Sequence, residues 1–365
     1  MKKAVTIGGA MLDSIAIIPS DRIERMAMRN AESSYLLLEE GRKTEAQEIS
    51  THCGGGAVNA AVAMARLGVD VSPVVKMGQD ARAEQILACL SEQGVSTRWV
   101  QRVPDAPTGA SVLIAAHDRD AAIFTFRGAN TLLRSDDLKD DMFAADLVYI
   151  ASLSNESADC FPDLVAGARK AGASIATNPG IRQLSARADS FHDCLASIDI
   201  LSINSAEADA LVPLLVAGHG EGGAVLPLEP GEKPLPLVVR GFSSGGFAMT
   251  LPAFFSALLE RGPRHVGVTA GASGAFVGSE DGLRYCPTLP ADVHGTAGAG
   301  DAFASTFATL VTLGESTNDA LLGASLNAAS VVGFVDTQTG LLERDELVKR
   351  RASIDGGSLI RRWKL

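Results

Sequence analysis

Aromatic side chains are scarce in this 365-residue sequence, at 5% of all residues, and acidic residues outnumber basic ones. There are 32 lysines and arginines against 43 aspartates and glutamates, which gives a formal net charge of −11. Nucleic acids and anionic membranes carry charge of the same sign, so we expect neither as a partner. The sequence also lacks any run of about 18 uninterrupted apolar residues, which argues against a membrane span.

Cysteine is infrequent as well. The five cysteines are odd in number and show no zinc-ligand spacing: Cys53, Cys89, Cys160, Cys194 and Cys286. This distribution favours reduced thiols and hence a cytoplasmic location. The N-terminus carries two lysines before an apolar stretch, but Asp13 interrupts that stretch and no cleavage site follows. A signal peptide is therefore not expected.

Two common glycine-rich nucleotide motifs are missing. The first strand, over residues 4–9, is followed by Ala10, Met11, Leu12 and Asp13. This is not the G-x-G-x-x-G pattern of a nicotinamide-dependent oxidoreductase. The G-x-x-x-x-G-K-[ST] loop is absent too, which argues against a P-loop kinase.

Another glycine-rich stretch is present between Gly295 and Phe303, with the letters GTAGAGDAF. Three glycines in six residues do not suit a helix or strand interior, because glycine loses the most backbone freedom on folding. The residues that follow have the pattern of a helix. A glycine-rich turn that opens a helix leaves backbone N–H groups unpaired at the positive end of the helix dipole, which favours an anion.

Asp301 lies in the mouth of this turn. A carboxylate repels an anion, but it can take the proton from a hydroxyl that attacks the anion. The stretch therefore indicates phosphoryl transfer to an alcohol, with Asp301 as the base and the amides of Gly298, Ala299 and Gly300 as the charge stabiliser. The alternative is an ordinary glycine-rich loop with an Asp cap.

A second glycine-rich turn, at Gly54 and Gly55, opens an alanine-rich helix that is predicted to end at Gly68. Glycine lets a ligand approach the backbone closely, and Asn59 lies in the first turn of the helix. Asp13 follows the first strand, at the edge where open α/β sheets bind ligands. The alternatives are close helix–strand packing for the glycines and a turn or cap for Asp13.

A third group of polar residues follows later strands. Asn204 and Glu207 come after a strand and face the same way at a helix start, so they can hold a hydrated Mg²⁺ near phosphates. The same pair has the form of a capping box. Thr269, Gly271 and Gly274 end another strand and leave the backbone free for a ligand.

From residue 145 onward, predicted strands alternate with helices, which indicates a mostly parallel sheet covered by helices on both faces. Predicted strands at 14–18, 47–51 and 111–126 do not fit this alternation. They suggest a small β layer that acts as a lid, with one apolar face formed by Ile15, Ile17, Val112 and Ile114. Residues 117–120 are predicted as a hairpin turn, and residues 217–246, rich in Gly and Pro, as a long surface loop or flap.

These motifs, in this order, resemble the PfkB/ribokinase family of carbohydrate kinases. The first family signature is matched by Gly54, Gly55, Asn59 and the stretch 65–68, and the second by residues 298–301. Asn204 and Glu207 match the family's Asn-x-x-Glu motif, Thr269, Gly271 and Gly274 match a turn on the nucleotide side, and Asp13 matches an acidic residue that binds sugar hydroxyls. The resemblance covers residues 4 to 345.

The resemblance implies one ribokinase-like domain over residues 1–365, with a three-layer α/β/α core, a mostly parallel sheet and a small β lid made of segments near 13–51 and 108–127. It implies ATP and Mg²⁺ as cofactors and Asp301 as the base, with Gly298, Ala299 and Gly300 as the anion hole. Further implied roles are substrate contacts (Asp13, Gly54, Gly55, Asn59), a site near phosphate and metal (Asn204, Glu207) and nucleotide contacts (Thr269, Gly271, Gly274, Asn327).

The sequence departs from the family pattern in two places. Gly295 replaces an Asp that helps hold a monovalent cation in some relatives, so a K⁺ site is in doubt and weak or absent K⁺ activation is expected. The segment near 212–262 is longer than is usual. A cover for the nucleotide, an oligomer contact and no specific role remain open for this insertion.

Two further alternatives remain open. The acceptor is a small molecule, either a sugar or a nucleoside, since both present a hydroxyl beside a ribose-like ring. A non-catalytic, ligand-sensing relative is a separate class, because Gly295 is unusual, although Asp301 and the anion-hole positions are kept. The lid is expected to close when the acceptor binds, and in the free protein to be either mobile or paired with a second chain as a homodimer.

Overall fold

The computed structural model describes residues 1–22, 24–27, 34–37, 40–41, 43–115, 121–227 and 234–365. Within these ranges the strands are β1 (Lys3–Ile7), β2 (Met11–Ile17), β3 (Glu24–Ala27), β4 (Ser34–Leu37), β5 (Glu48–Gly54), β6 (Asp70–Gly78), β7 (Val100–Val103), β8 (Gly109–Ala115), β9 (Ala122–Phe126), β10 (Leu147–Ile150), β11 (Ser174–Thr177), β12 (Ile200–Asn204), β13 (Phe242–Ser244), β14 (Phe247–Met249), β15 (His265–Thr269), β16 (Ala275–Ser279), β17 (Gly282–Cys286) and β18 (Arg361–Trp363).

The helices are α1 (Gly56–Arg66), α2 (Ala81–Glu92), α3 (Phe161–Lys170), α4 (Gly180–Ala186), α5 (Ala188–Cys194), α6 (Ser205–His219), α7 (Pro236–Arg240), α8 (Leu251–Leu259), α9 (Ala299–Thr312), α10 (Thr317–Val331), α11 (Arg344–Ala352) and α12 (Gly356–Leu359). Of the helices in the described ranges, none combines the length and apolar character needed to cross a bilayer.

The main sheet contains ten of the described strands, in the order β18-β17-β16-β15-β12-β11-β10-β1-β6-β7. The strands from β15 to β7 run parallel, and β16, β17 and β18 add an antiparallel edge. The central strand β10 is buried along its whole length, as expected for a parallel strand covered on both faces. The predicted mostly parallel sheet is confirmed.

Helices cover both faces of this sheet. One apolar cluster joins it to α1, α2, α9 and α10, and a second joins its other face to α3, α5, α6 and α8. Alanines dominate the buried side of α1, so this helix packs closely on α9 and on β6. The predicted three-layer α/β/α architecture is therefore confirmed, and its parallel strands bring their carboxyl ends to one edge.

A second, four-stranded sheet, here called the small sheet, has the order β5-β2-β8-β9. Strand β2 pairs antiparallel with β5 and parallel with β8, and β8 pairs antiparallel with β9. The strands predicted outside the βα alternation are thus confirmed as one separate layer. The predicted hairpin turn at 117–120 lies outside the described residues, although the two strands that flank it do pair.

The prediction of which residues form the apolar face of the small sheet is wrong for two of the four. The register pairs Ser14 with Val112 and Ile15 with Leu113, and paired residues lie on the same face. Ile15, Ile17 and Leu113 therefore form one buried cluster, which packs against Val335. Val112 and Ile114 lie on the opposite face, because a shift of one residue in register reverses every side chain of a strand.

The prediction of a surface loop or flap over residues 217–246 is also wrong for the described part of this segment. Helix α6 continues to His219, and α7 and the β13–β14 hairpin follow. Leu226, Leu237 and Phe242 are buried in the cluster beneath the sheet. Glycine and proline here mark short turns between these elements, which are stabilised by burial of apolar side chains. The elements are too short to show a hydrophobic periodicity in the sequence.

Candidate active site

A small cleft lies at the carboxyl ends of the parallel strands, where β11, β12 and β15 meet the start of α9. Its lining consists of Asn178, Ser202, Ile203, Asn204, Glu207, Thr269, Gly300, Asp301, Phe303 and Ala304. The cleft has a volume of about 80 Å³. Six of the ten lining residues carry polar side chains, and the cleft is smaller than the roughly 300–1,000 Å³ of a typical ligand pocket, so it suits a small polar group rather than a whole nucleotide.

The glycine-rich turn before α9 has the predicted geometry. Gly298 is the N-cap residue in the left-handed region, with φ of 80°, and a Cβ there would lie 2.7 Å from the Cβ of Thr337. Glycine is thus required at this position by backbone conformation and by close packing. A Cβ built on Gly300 would meet nothing within 4 Å, so its backbone faces open space. The turn places backbone amides at a helix N-terminus, the arrangement that favours an anion. The N–H of Ala299 also donates to the carbonyl oxygen of Thr296, at 3.4 Å.

Asp301 lies in the first turn of α9 and forms part of the cleft wall. Its Oδ2 accepts a hydrogen bond from Nδ2 of Asn59 at 2.9 Å. Burial raises the pKa of Asp301 above the usual range, the Asn59 bond lowers it in part, and the nearby Asp13 charge raises it further. A carboxylate with a raised pKa, partly open to the cleft, suits a group that accepts a proton.

Asn59 is itself held in a fixed orientation. Its Oδ1 accepts hydrogen bonds from Thr337 at 2.9 Å and from Nε2 of Gln338 at 3.0 Å, which leaves its Nδ2 to face Asp301. Asp336 stabilises the same loop by accepting bonds from the backbone N–H groups of Gln338 and Thr339 at 2.8 Å. Thr337 and Gln338 are not predictable as site residues from the sequence, since nothing local in the sequence links them to Asn59.

Asp13 lies in strand β2 of the small sheet, not at a turn or a cap. Its Oδ1 accepts a hydrogen bond from the hydroxyl of Ser111 on β8, and the register pairs it with His52 on β5. Burial raises the pKa of Asp13, while Ser111 and His52 act in the opposite direction. Ser111 is not predictable as a site residue either, because the pairing of β2 with β8 brings it to Asp13.

Close contacts with neighbouring atoms require glycine at both position 54 and position 55. A Cβ at Gly54 would lie 2.0 Å from Oδ2 of Asp13, so the carboxylate rests directly against the Gly54 backbone. Gly55 has φ of 96°, and a Cβ there would lie 2.5 Å from the carbonyl oxygen of Gly9. These contacts bring β5, the end of β1 and the start of α1 together beside Asp13 and Asn59.

Asn204 and Glu207 form the predicted capping box. The Asn204 side chain accepts from the Glu207 N–H, and Glu207 Oε2 accepts from the Asn204 N–H, both at 2.9 Å. The two also line the cleft, so the capping and ligand interpretations are compatible. Burial raises the pKa of Glu207, and the charge of Asp301 adds to this. No group of three or more His, Cys, Asp or Glu side chains in the described ranges could hold a metal by itself.

The four predicted nucleotide contacts outside the capping box fall in different surroundings. Thr269 lines the cleft, and Gly271, with φ of 52°, faces open space. Gly274 is explained by packing, since a Cβ there would lie 2.3 Å from the carbonyl oxygen of Cys286. The prediction for Asn327 does not fit the structure. This residue is fully buried, and its amide bonds internally to Thr306 and to the Leu342 N–H.

Comparison with known proteins agrees with this arrangement. The family model described as "pfkB family carbohydrate kinase" matches residues 21–221 and 251–344. A deoxyribokinase from Salmonella typhi is 25% identical over 331 residues, which cover 89% of this chain and 94% of that protein. A ribokinase from Mus musculus is 28% identical over 73% of this chain and 74% of its own length.

Solved structures of the same fold are similar along almost the whole chain. The ribokinase of Arabidopsis thaliana complexed with ribose and ATP has a TM-score of 0.69, at 22% identity and with 96% of this chain and 98% of that one covered. This structural similarity agrees with the family match, because both cover most of the chain. The chain therefore belongs to the pfkB family of carbohydrate kinases, and it is a phosphotransferase with the ribokinase-like fold.

Proposed function

We propose that this protein transfers the γ-phosphoryl group of ATP to a hydroxyl of a sugar, with Asp301 as the general base. The observation that carries the proposal is the position of Asp301. Its carboxylate lies at the start of α9, where a helix N-terminus favours an anion, and it is bonded to Asn59 in the first turn of α1. Similarity to a ribokinase complexed with ribose and ATP supports the choice of donor and acceptor.

In this proposal, the acceptor lies between the small sheet and the start of α1. Asp13, Gly54, Gly55 and Asn59 contact it, and Asp301 takes the proton from the attacking hydroxyl. The amides of residues 298–300 stabilise the charge that develops on the transferred phosphoryl group, because preorganised donors need no reorientation during the reaction. Thr269 and Gly271 border the phosphate end of the nucleotide, while Gly274 supports that turn through its packing.

The cleft also fits the Mg²⁺ ion that accompanies ATP. Glu207 Oε2 accepts from the Asn204 N–H, and the Glu207 carboxylate also lines the cleft, where a metal or its water would lie. Mg²⁺ is usually held by one or two carboxylates together with phosphates and waters, so the lack of a protein-only cage is expected. When bound, the ion would neutralise phosphate charge.

The reaction is assigned to the cytoplasm, where ATP and reduced thiols are available, and all five cysteines are free.

Replacement of Glu207 by Gln is expected to raise the Mg²⁺ concentration needed for half-maximal rate, because a carboxylate ligand is lost. Gln keeps an oxygen for the Asn204 N–H, so the N-terminus of α6 should stay capped and Tm should change little. Rates over a Mg²⁺ titration at fixed ATP would measure this. An unchanged titration curve would remove Glu207 from the metal site.

Activation by K⁺ is expected to be weak or absent, since Gly295 supplies no carboxylate. Initial rates in KCl and NaCl at equal ionic strength would test this expectation. A strong preference for K⁺ would show that backbone carbonyl groups form the cation site without an acidic side chain.

The assignment itself is tested by ATP consumption across a panel of sugars and nucleosides, with product identity checked by mass spectrometry. A phosphorylated sugar supports the proposal, and a phosphorylated nucleoside instead favours nucleoside kinase activity within the same family. If nucleotide binds and no acceptor in the panel is phosphorylated, the proposal fails in favour of a ligand-sensing role.

We expect the small sheet to act as a lid and to pair with a second chain as a homodimer. The face opposite to Ile15 exposes several large apolar side chains, including Ile49 at 73% and Phe124 at 60%. A patch of this kind on a soluble protein marks an interface. Sedimentation should give a dimer for the native protein and a monomer for Phe124→Asp. A monomeric native protein would contradict the expectation.

A further inference from the structure

Arg127 joins the small sheet to the main sheet. It directly follows β9, and its Nη1 donates a hydrogen bond to the hydroxyl of Ser154 at 2.8 Å. Ser154 is buried and lies in the segment that follows the central strand β10. The guanidinium group is thus held between the edge of the small sheet and the carboxyl edge of the main sheet.

A second arginine bonds to the next residue of the same segment. Arg182 on α4 donates from Nη1 to the side-chain oxygen of Asn155 at 2.9 Å. Asn155 is the one non-glycine residue with positive φ in the part of the chain that the structure describes, with φ of 48°. Two cations therefore hold consecutive residues, and the second of these residues has a left-handed backbone conformation that asparagine adopts more readily than most residues do.

No carboxylate within the described ranges pairs with either guanidinium. Two nearby arginines do have carboxylate partners: Arg134 pairs with Glu156 at 2.7 Å, and Arg187 pairs with Asp159 at 2.6 Å. Partial burial and the charge of Arg182 lower the pKa of Arg127. Keeping two like charges together, one of them half-buried and without a counter-ion, is unfavourable unless an anion joins them.

The arginine pair lies on the acceptor side of the active site. A Cβ built on Gly56 would lie 2.9 Å from the Cβ of Ala151, the residue that follows β10, and 3.8 Å from Oδ1 of Asp301. Ala151 therefore lies near the proposed base. Strand β8, which leads by way of β9 to Arg127, carries the Ser111 that bonds to Asp13. The residues that surround the proposed acceptor thus continue directly into the segment that Arg127 and Arg182 hold.

We propose that Arg127 and Arg182 form an anion subsite that binds a carboxylate or phosphate group of the acceptor. The acceptor is then an acidic sugar derivative, which offers its hydroxyl to Asp301 and its anionic group to the two guanidinium groups. Guanidinium N–H groups form a planar array that matches carboxylate and phosphate oxygens. This inference deepens the proposed kinase function and rests on it for the position of the reacting hydroxyl.

The test compares ribose, ribonate and ribose 1-phosphate as acceptors. We expect kcat/KM to be at least tenfold higher for an anionic acceptor than for ribose. Arg127→Gln should lower kcat/KM for the anionic acceptor by roughly tenfold or more, the loss typical of one charged hydrogen bond. The same variant should leave ribose turnover and the KM for ATP unchanged, and Arg127→Lys should retain part of the preference.

Arg134→Gln is the matched control, because that arginine lies nearby but already has a carboxylate partner, and it should not change the preference. Calorimetric binding of ribonate to native protein and to Arg127→Gln separates the subsite from catalysis. If ribonate binds through Arg127 but no acceptor is phosphorylated, the subsite stands and the kinase proposal fails. If Arg127→Gln weakens neutral and anionic acceptors equally, or if ribose is preferred over both anions, the subsite is overturned.

Discussion

Asp301→Asn is expected to lower kcat by roughly 10²–10⁴-fold, the range typical for loss of a general base. Asn keeps the shape of the side chain and removes the proton acceptor. The helix start and its backbone amides stay in place, so the affinity for ATP should change little. The variant therefore separates proton abstraction from binding of the phosphoryl donor.

Single-turnover rates together with equilibrium ATP binding measure this separation. Asp281→Asn is a suitable control, because Asp281 lies in the β16–β17 turn, away from the cleft, and its loss should leave kcat unaltered. If Asp301→Asn keeps near-native turnover, another group is the base. A parallel loss of ATP binding would instead indicate a structural role for the carboxylate.

The pH dependence of kcat/KM provides a second measure of the same residue. A base works only when it is deprotonated, so activity should fall as the pH drops through the pKa of Asp301. Because burial raises that pKa, the fall should occur at a higher pH than for an exposed aspartate. Asn59→Ala removes the hydrogen bond that favours the charged form, so it should move the fall to still higher pH.

Gly54→Ala is expected to reduce kcat/KM for the acceptor by roughly 10²-fold, the cost that a displacement of about 1 Å imposes on a reacting geometry. The added Cβ would lie 2.0 Å from Oδ2 of Asp13, so the carboxylate must move. Because the atom in the way belongs to a side chain and not to the backbone, the fold should survive. The KM for ATP should remain close to its native value.

A double-mutant cycle with Asp13→Ala tests this steric cause. In the Asp13→Ala background, Gly54→Ala should add little, because the displaced group is already missing. Gly55→Ala provides the contrast. Its Cβ would meet the backbone of Gly9 at 2.5 Å and its φ is positive, so it should lower Tm. Additive effects of Gly54→Ala and Asp13→Ala would show that the methyl group acts elsewhere.

The sequence by itself determined the local parts of the site. Gly298 and Gly55 occupy backbone conformations that only glycine adopts easily, and they precede helices whose first turns carry Asp301 and Asn59. The capping box of Asn204 and Glu207 is likewise a matter of residues three apart in the chain. Such features depend on neighbours along the chain, so spacing and residue type are enough to predict them.

Only the tertiary structure decided the contacts between distant segments. The register of β2 and β8 moved Val112 away from Ile15 and brought Ser111 to Asp13. The packing of α10 buried the amide of Asn327, and the loop after that helix supplied Gln338 to hold Asn59. Each contact joins residues more than 20 positions apart, and the pairing is selected by burial and register of whole elements, which no local pattern encodes.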